Sequence, residues 1–202
     1  MSPARPIRRT RIAAFAVGAS CAALLAACST SPSTPASTNG SPTPSPTASP
    51  TAPLPLTVTS EDFVDGGNLG PTFGGCGGHA LNPQVSWSEG PVGTVTYALA
   101  MTDPDASNYS HWLQYDIPAS VTSVAQGAAN DFPGTRGRNS NGVRGYLSPC
   151  PPSGVHHYVI TVYALDTALN PADTIIWAEF KRDSTGHILA QGQIVGLYPP
   201  AG

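Results

Sequence analysis

A chain of 202 residues with 21 glycines, 22 prolines and about 10% charged side chains has room for one modest domain and a non-globular segment, not for two cores. Its formal charge of −3 hides a more acidic body: beyond residue 28 only Arg136, Arg138, Arg144, Lys181 and Arg182 oppose all twelve Asp and Glu, a net −7. So few cations on an acidic domain exclude a nucleic-acid partner.

Residues 1–28 read as an export signal. Arg5, Arg8, Arg9 and Arg11 form a positive start, and Ile12–Ala27 is apolar but too short to be a comfortable spanning helix. The stretch ends Leu25-Ala26-Ala27-Cys28, a lipobox: small residues fit the processing peptidase and the cysteine thiol receives the lipid. Cys28 is therefore expected to be the acylated mature N-terminus, anchoring the chain to the outer face of the cell membrane. Residues 29–55 are almost all Ser, Thr, Pro and Ala with no charge; they cannot bury a core and are expected to form an extended tether. The folded domain is expected over 56–202.

Within it, Leu56–Phe63 predicts a first strand. Gly66–Gly78 is a glycine-rich loop but not a phosphate loop, since neither Lys-Ser/Thr nor a helix follows. Val85–Trp87 predicts a short strand with Trp87 in the core. In Thr94–Ile117, Val95, Tyr97, Leu99 and Met101 alternate with smaller residues, as in a half-buried strand, and the same parity reaches Asp103 and Asp105. After Pro104 and a short loop, His111 opens another strand, with Leu113, Tyr115 and Ile117 on its face. Residues 121–145 are irregular; Asp131 and three arginines there predict a solvated loop beside a site.

Ser148–Asp166 combines a Pro-rich turn, Gly154 and a strand. Alternation puts His156, Tyr158, Ile160 and Val162 on one face and His157, Val159, Thr161 and Tyr163 on the other. Pro171–Lys181 and Ile188–Ile194 are the helix candidates, and His187 caps or packs there. Strands with Gly/Pro turns dominate, which predicts a mainly β fold.

Cys21 and Cys28 belong to the leader. Cys76 and Cys150 remain, and in an exported chain they are expected to form a disulfide. No cysteine pair has metal-ligand spacing.

Aspartates, histidines and a tyrosine at strand ends favour a pocket at one end of the β fold. Imidazole, phenol and the backbone N–H groups of the Pro-rich turn can bind a phosphate or carboxylate, while Asp103 holds a histidine tautomer. Two enzyme readings compete. Asp103-Pro-Asp105-Ala-Ser107 superficially matches the D-x-D motif of Asp-dependent phosphatases, but that chemistry needs Mg²⁺, alternating strands and helices, and a later lysine; the chain's lone lysine is Lys181. A metal site from His111, His156 and an aspartate is the other. A protein-interaction module, such as an inhibitor of a protease outside the membrane, is a third class.

The motifs TDPDAS (Thr102–Ser107), HW (His111–Trp112) before a strand, and SPCPPSGVHHY (Ser148–Tyr158), in that order, resemble the phosphatidylethanolamine-binding protein family in its small bacterial form. The likeness runs from about Val58 to Tyr198 and takes in LNPQVSWSEGP (Leu81–Pro91) and GHILAQGQIVGLY (Gly186–Tyr198). The family pattern is D-P-D-A-P, a histidine opening the next strand, and G-P-C-P-P-x-G-x-H-R-Y. Here Ser107 stands in place of proline, Ser148 in place of glycine, and His157 in place of an arginine. The resemblance implies an antiparallel Greek-key β-sandwich with one or two short C-terminal helices, and a small pocket for an anionic or phosphate-bearing ligand, without catalysis, cofactor or metal. Carried onto this chain, its residues are Asp103, His111, His156 and Tyr158, with Asp105 and Pro104 completing the expected set.

Overall fold

The computed structural model describes residues 54–77, 80–171 and 174–200. The export signal, the lipobox with Cys28 and nearly all of the tether lie outside them.

Ten strands and one helix form in chain order: β1 (Leu54–Pro55), β2 (Val58–Thr59), β3 (Gly67–Asn68), β4 (Val85–Trp87), β5 (Thr96–Asp103), β6 (Tyr109–Pro118), β7 (Ser123–Val124), β8 (Thr135–Arg136), β9 (His156–Leu165), α1 (Trp177–Asp183) and β10 (Ile188–Tyr198). The main sheet runs β1-β10-β9-β5-β6-β8, with β3 also on β10, and a second sheet runs β2-β4-β7. The four long strands pair antiparallel. The connection from β6 to β9 passes over β5, the crossover of a Greek key.

The sandwich follows from strand alternation. Tyr97, Leu99, Met101, Ile160, Val162 and Ile194 leave one face of the main sheet and meet Val58, Val85, Trp87 and Val124 of the small sheet in the inner core. Ala98, Ala100, Leu113, Tyr115 and Leu165 leave the opposite face and are covered by Ile175 and Phe180 of the helical segment. Small alanines on that outer face let α1 approach.

Three sequence expectations are corrected. Leu56–Phe63 is not one strand: β1 pairs with β10 and β2 pairs with β4, so the chain crosses from one sheet to the other at Leu56–Thr57. Ile188–Ile194 is not helix but the first part of β10, and among the described residues α1 is the one α-helix. Its two glycines explain why. A Cβ on Gly192 would lie 2.0 Å from the Leu56 carbonyl oxygen, and one on Gly196 would lie 2.5 Å from the Leu69 side chain. Glycine, poor in helices, is what allows neighbouring backbone to close over β10.

The third correction concerns β6. His111, Leu113, Tyr115 and Ile117 do not share a face, because two bulges intervene. Near its start Met101 pairs with Trp112 but Thr102 pairs with Ser110, so His111 is the extra residue. Near its end the register slips between Tyr97/Ile117 and Leu99/Gln114, at Asp116 with φ 54°. A bulge turns two consecutive side chains toward the same side. Thus Trp112 enters the inner core while His111, next to it, also points inward, against Tyr158.

Candidate functional site

The inner face of the main sheet opens at one end into a cavity of about 370 Å³. Asp103, at the end of β5, supplies its floor. Proline at the next position and the 3-10 turn Pro104–Ala106 halt the strand, and the Asp103 Oδ1 atom caps that turn by accepting from the Ala106 N–H at 3.1 Å. Its Oδ2 atom lies 2.7 Å from His156 Nδ1. The carboxylate can only accept, so the His156 ring carries its proton on Nδ1 and leaves Nε2 to the cavity that the ring lines.

His111 is held the same way by a different acceptor. Its Nδ1–H donates to the Leu147 carbonyl at 3.0 Å, and Leu147 N–H donates back to the His111 carbonyl at 2.7 Å. Its ring meets the Tyr158 ring at 5.0 Å, edge to face. Tyr158 lies flat beside His156, at 6.5 Å and 26°. Burial first, then the charge of Asp103 and a hydrogen bond to it, push the Tyr158 phenol far up, so it stays protonated.

The remaining wall is a loop and a turn laced together. Cys76 and Cys150 are joined, with Cα atoms 5.0 Å apart. Beside the bridge, Gly75 N–H donates to the Pro149 carbonyl at 2.7 Å, and Ser148 Oγ donates to the Gly75 carbonyl at 2.8 Å. Ser148, where the family pattern has glycine, therefore adds a tether. Pro149, Pro151 and Pro152 contribute no backbone N–H to this turn.

Asp103, His111, His156 and Tyr158 thus converge, as expected, but Pro104 and Asp105 do not line the cavity. Both are exposed on the turn that ends β5. Asp105 Oδ2 accepts from the His157 backbone N–H at 2.7 Å and lies 2.9 Å from His157 Nδ1. Those bonds hold the Asp105 carboxyl below its usual range. His157, in place of the arginine, thus faces away from the cavity and fastens the end of β5 to the start of β9. Ser107 has φ 58°, a left-handed conformation closed to proline, so its replacement shapes this turn.

The arginines are not beside the site: none lines this cavity, and Arg136 donates to Asn130. His187 is likewise elsewhere, paired with Asp166 at 2.8 Å. Two lining residues went unread in the sequence. Tyr109 has the parity of His111 and meets its ring at 5.3 Å, tilted by 55°, a signal present in the alternation. Asn141, which accepts from the Tyr109 hydroxyl, comes from an irregular loop and left no local trace. Among the described residues no three His, Cys, Asp or Glu side chains are grouped to hold a metal ion.

Burial pushes the His111 imidazole below its ordinary value of 6.5, against the weaker opposite pull of its bond to Leu147. The folded chain therefore resists a proton that the unfolded chain accepts. The stability tied to this ring is complete above about 6.5 and declines as pH falls below it. In His111→Asn the amide keeps a donor for Leu147 but cannot titrate, so its denaturation midpoint should fall less between pH 7.5 and 5.5 than that of the wild type. Equal losses would assign the whole slope to the carboxylates.

The order of TDPDAS, His111 and SPCPPSGVHHY is matched by the profile of the phosphatidylethanolamine-binding proteins over residues 59–199. The chain belongs to that family. The match runs from the end of β2 through β10 and leaves out β1. A UPF0098 protein of Methanothermobacter thermautotrophicus is 33% identical over 149 residues, 71% of this chain and 98% of that protein. LppC of Mycobacterium tuberculosis, named as a lipoprotein, is 40% identical over 119 residues, 57% of this chain and 58% of its own. Among solved structures, the phosphatidylethanolamine-binding protein homologue CT736 of Chlamydia trachomatis superposes with a TM-score of 0.67 at 28% identity, covering 73% of this chain and 99% of that one. YbcL of Escherichia coli gives 0.66 at 31% identity, covering 72% and 99%. The family's name describes binding rather than catalysis. No helix among the described residues is long and apolar enough to cross a membrane.

Proposed function

We propose that this chain is a lipid-anchored, extracytoplasmic, non-catalytic binding protein for a small phosphate-bearing ligand. The observation that carries the reading is the protonation pattern of the cavity. Both imidazoles spend their Nδ1–H on protein acceptors, so in their neutral forms they offer Nε2 as an acceptor, above the Asp103 carboxylate. Such a site repels a dianion and suits an anion that brings its own protons. A phosphate or phosphomonoester monoanion does so: the first has two P–O–H groups and the second one to donate to a ring nitrogen. The second proton of a phosphomonoester leaves near pH 6. Affinity should therefore rise as pH falls through that value, from the ligand's protonation and from any imidazole that becomes a cationic donor.

The test is a calorimetric titration with inorganic phosphate and phosphoethanolamine at pH 5.5 and 7.5. Binding should be weak and tighter at the lower pH. His156→Ala should weaken it by roughly tenfold, the value of a hydrogen bond with a charged partner. No binding at either pH by a folded chain would put the protein-interaction reading first. Turnover requiring Mg²⁺ and Asp103 would put an enzyme first.

The anchor rests on the Leu25–Cys28 lipobox and on the lipoprotein name of the relative LppC. Expressed in a bacterial host with a lipoprotein pathway, the full chain should fractionate with membranes and carry lipid, and Cys28→Ala should lose both properties. A wild-type chain that remains in the cytoplasmic fraction would refute the anchor.

A further inference from the structure

The strand register fixes where the chain enters the sandwich relative to the cavity. β1 meets β10 at Leu54↔Ala190, near the start of β10, whereas Tyr198, at the far end of β10, pairs with His156 of the candidate site. Ala190 and Tyr198 lie roughly 26 Å apart along the strand, at about 3.3 Å per residue. β1 runs parallel to β10, so the backbone reaches Leu54 from the side away from the cavity. Other strand ends meet there: Thr96, opening β5, pairs with Pro118 and Leu165, and Leu165 pairs with Ile188. We propose that this end of the domain docks on a zwitterionic lipid bilayer through the turn at 91–94, so that the cavity opens away from the lipid. This seating rests on the lipid anchor at Cys28 proposed for the chain.

The turn is built to hold an apolar side chain out. Thr94 N–H donates to the Pro91 carbonyl at 3.1 Å, and Thr94 Oγ1 donates to the same carbonyl at 2.7 Å. The central residues are Val92 and Gly93, and Gly93 takes φ 97°, the positive value that a type II turn asks of its third residue. So braced, the turn leaves Val92 fully exposed, more than any other large apolar side chain among the described residues. Val95, just beyond it, is 51% exposed. Leu189 lies against the same turn: a Cβ on Gly93 would sit 3.7 Å from its Cδ1 atom. A single exposed valine is ordinary on a protein surface; two valines and a leucine gathered on a braced tip form a patch.

Charge selects the kind of surface. The segments that meet at this end, 88–95, 118–122, 166–170 and 184–189, carry two carboxylates and no Lys or Arg. Asp166 is paired with His187 at 2.8 Å, and Glu89 is exposed at the base of the turn. With a net −7 beyond residue 28, such an end gains nothing from an anionic bilayer, so the contact is apolar and the lipid zwitterionic. A few aliphatic side chains hold a bilayer weakly on their own. A tether that keeps the domain beside the lipid raises the effective concentration, which makes a weak contact sufficient.

The test couples isotope-labelled residues 28–202, which hold every strand of the sandwich, through Cys28 to a maleimide lipid. Cys28 is the one cysteine of this span outside the Cys76–Cys150 bridge. The lipid sits in phosphatidylcholine discs that also carry a gadolinium-chelate lipid. Amide signals of residues 92–95 and 189 should be lost to broadening, while those of 105–107 and 153–156 remain. Val92→Asp should restore the lost signals with the chain still coupled, and Val92→Leu should leave them broadened. Equal broadening at both ends would mean that the domain turns over freely. Stronger broadening at Val143 and Val155, exposed and close in sequence to the cavity-lining Asn141 and His156, would put the opposite end down. A shift of the His156 and Tyr158 signals on replacing phosphatidylcholine by phosphatidylethanolamine would mean that the cavity reaches the headgroups. Each of these three results would overturn the docking surface. Because the coupling is chemical, none of them depends on whether a cell acylates Cys28, which the fractionation experiment decides.

Discussion

Replacing Cys76 and Cys150 by serine is expected to cost about 4 kcal/mol, the chain-entropy value for closing a loop of 74 residues. In a domain of this size that is a fall of roughly 10 °C in the midpoint of thermal unfolding. The effect is large because the bridge joins two segments with little else to order them. The Gly75 segment belongs to no strand, and the turn at Ser148–Pro152 is depleted of donors by its three prolines. Two hydrogen bonds beside the bridge, from Gly75 N–H and Ser148 Oγ, persist in the reduced chain, so the fold should survive with a loosened cavity wall. Denaturant titrations of the oxidised, reduced and double-serine forms measure this. A loss below about 1 kcal/mol would show that the unfolded chain is already compact around this pair.

Asp103→Asn should invert the electrostatics of the candidate site while keeping its shape. The capping bond from Ala106 N–H selects the oxygen of the new amide for the Oδ1 place, so the amide nitrogen occupies the place of Oδ2, facing His156 Nδ1. A donor there drives the ring to its other tautomer, with Nδ1 accepting and Nε2–H directed at the cavity. One buried negative charge disappears and one inward donor appears. The variant should therefore bind phosphate at pH 7.5 about tenfold or more tightly than the wild type, a charge-assisted hydrogen bond being worth roughly 1.5–3 kcal/mol, and lose most of its pH dependence. If Asp103→Asn abolishes phosphate binding at both pH values while still folding, the carboxylate itself contacts the ligand and the tautomer argument is wrong.

How far these groups could be read from the chain depends on how local each signal is. The parity of β9 is local, and it placed His156 and Tyr158 inward and His157 outward correctly. The parity of β5 carried Asp103 to the right face but failed for Asp105, because Pro104 ends the strand and the count along it has no meaning beyond that point. In β6 the alternation misled for Leu113 and Tyr115: a bulge is set by pairing with a neighbour, and β6 gives no sign of it until it lies on β5. The β10 error has the same origin. Ile188–Ile194 reads as a short helix in isolation, and only the closeness of Leu56 and Leu69 shows what Gly192 and Gly196 are for. The disulfide was legible by subtraction, since two of the four cysteines lie in the stretch that reads as a leader.

The two margins of the main sheet bear on how copies of this domain tolerate crowding. A long strand with an open edge invites the same strand of another copy, and β10, eleven residues long, would be such a template. Its outer main-chain groups are already occupied. Leu56, Gly66 and Leu69 donate to Gln191, Val195 and Leu197 in turn, and Asp65 accepts from the Val195 N–H. The opposite margin ends in β8, two residues long and closed by the charge of Arg136. Neither border offers a continuous ladder to a neighbour, so molecules held side by side at high local density are guarded against edge-to-edge aggregation by their own connecting segments.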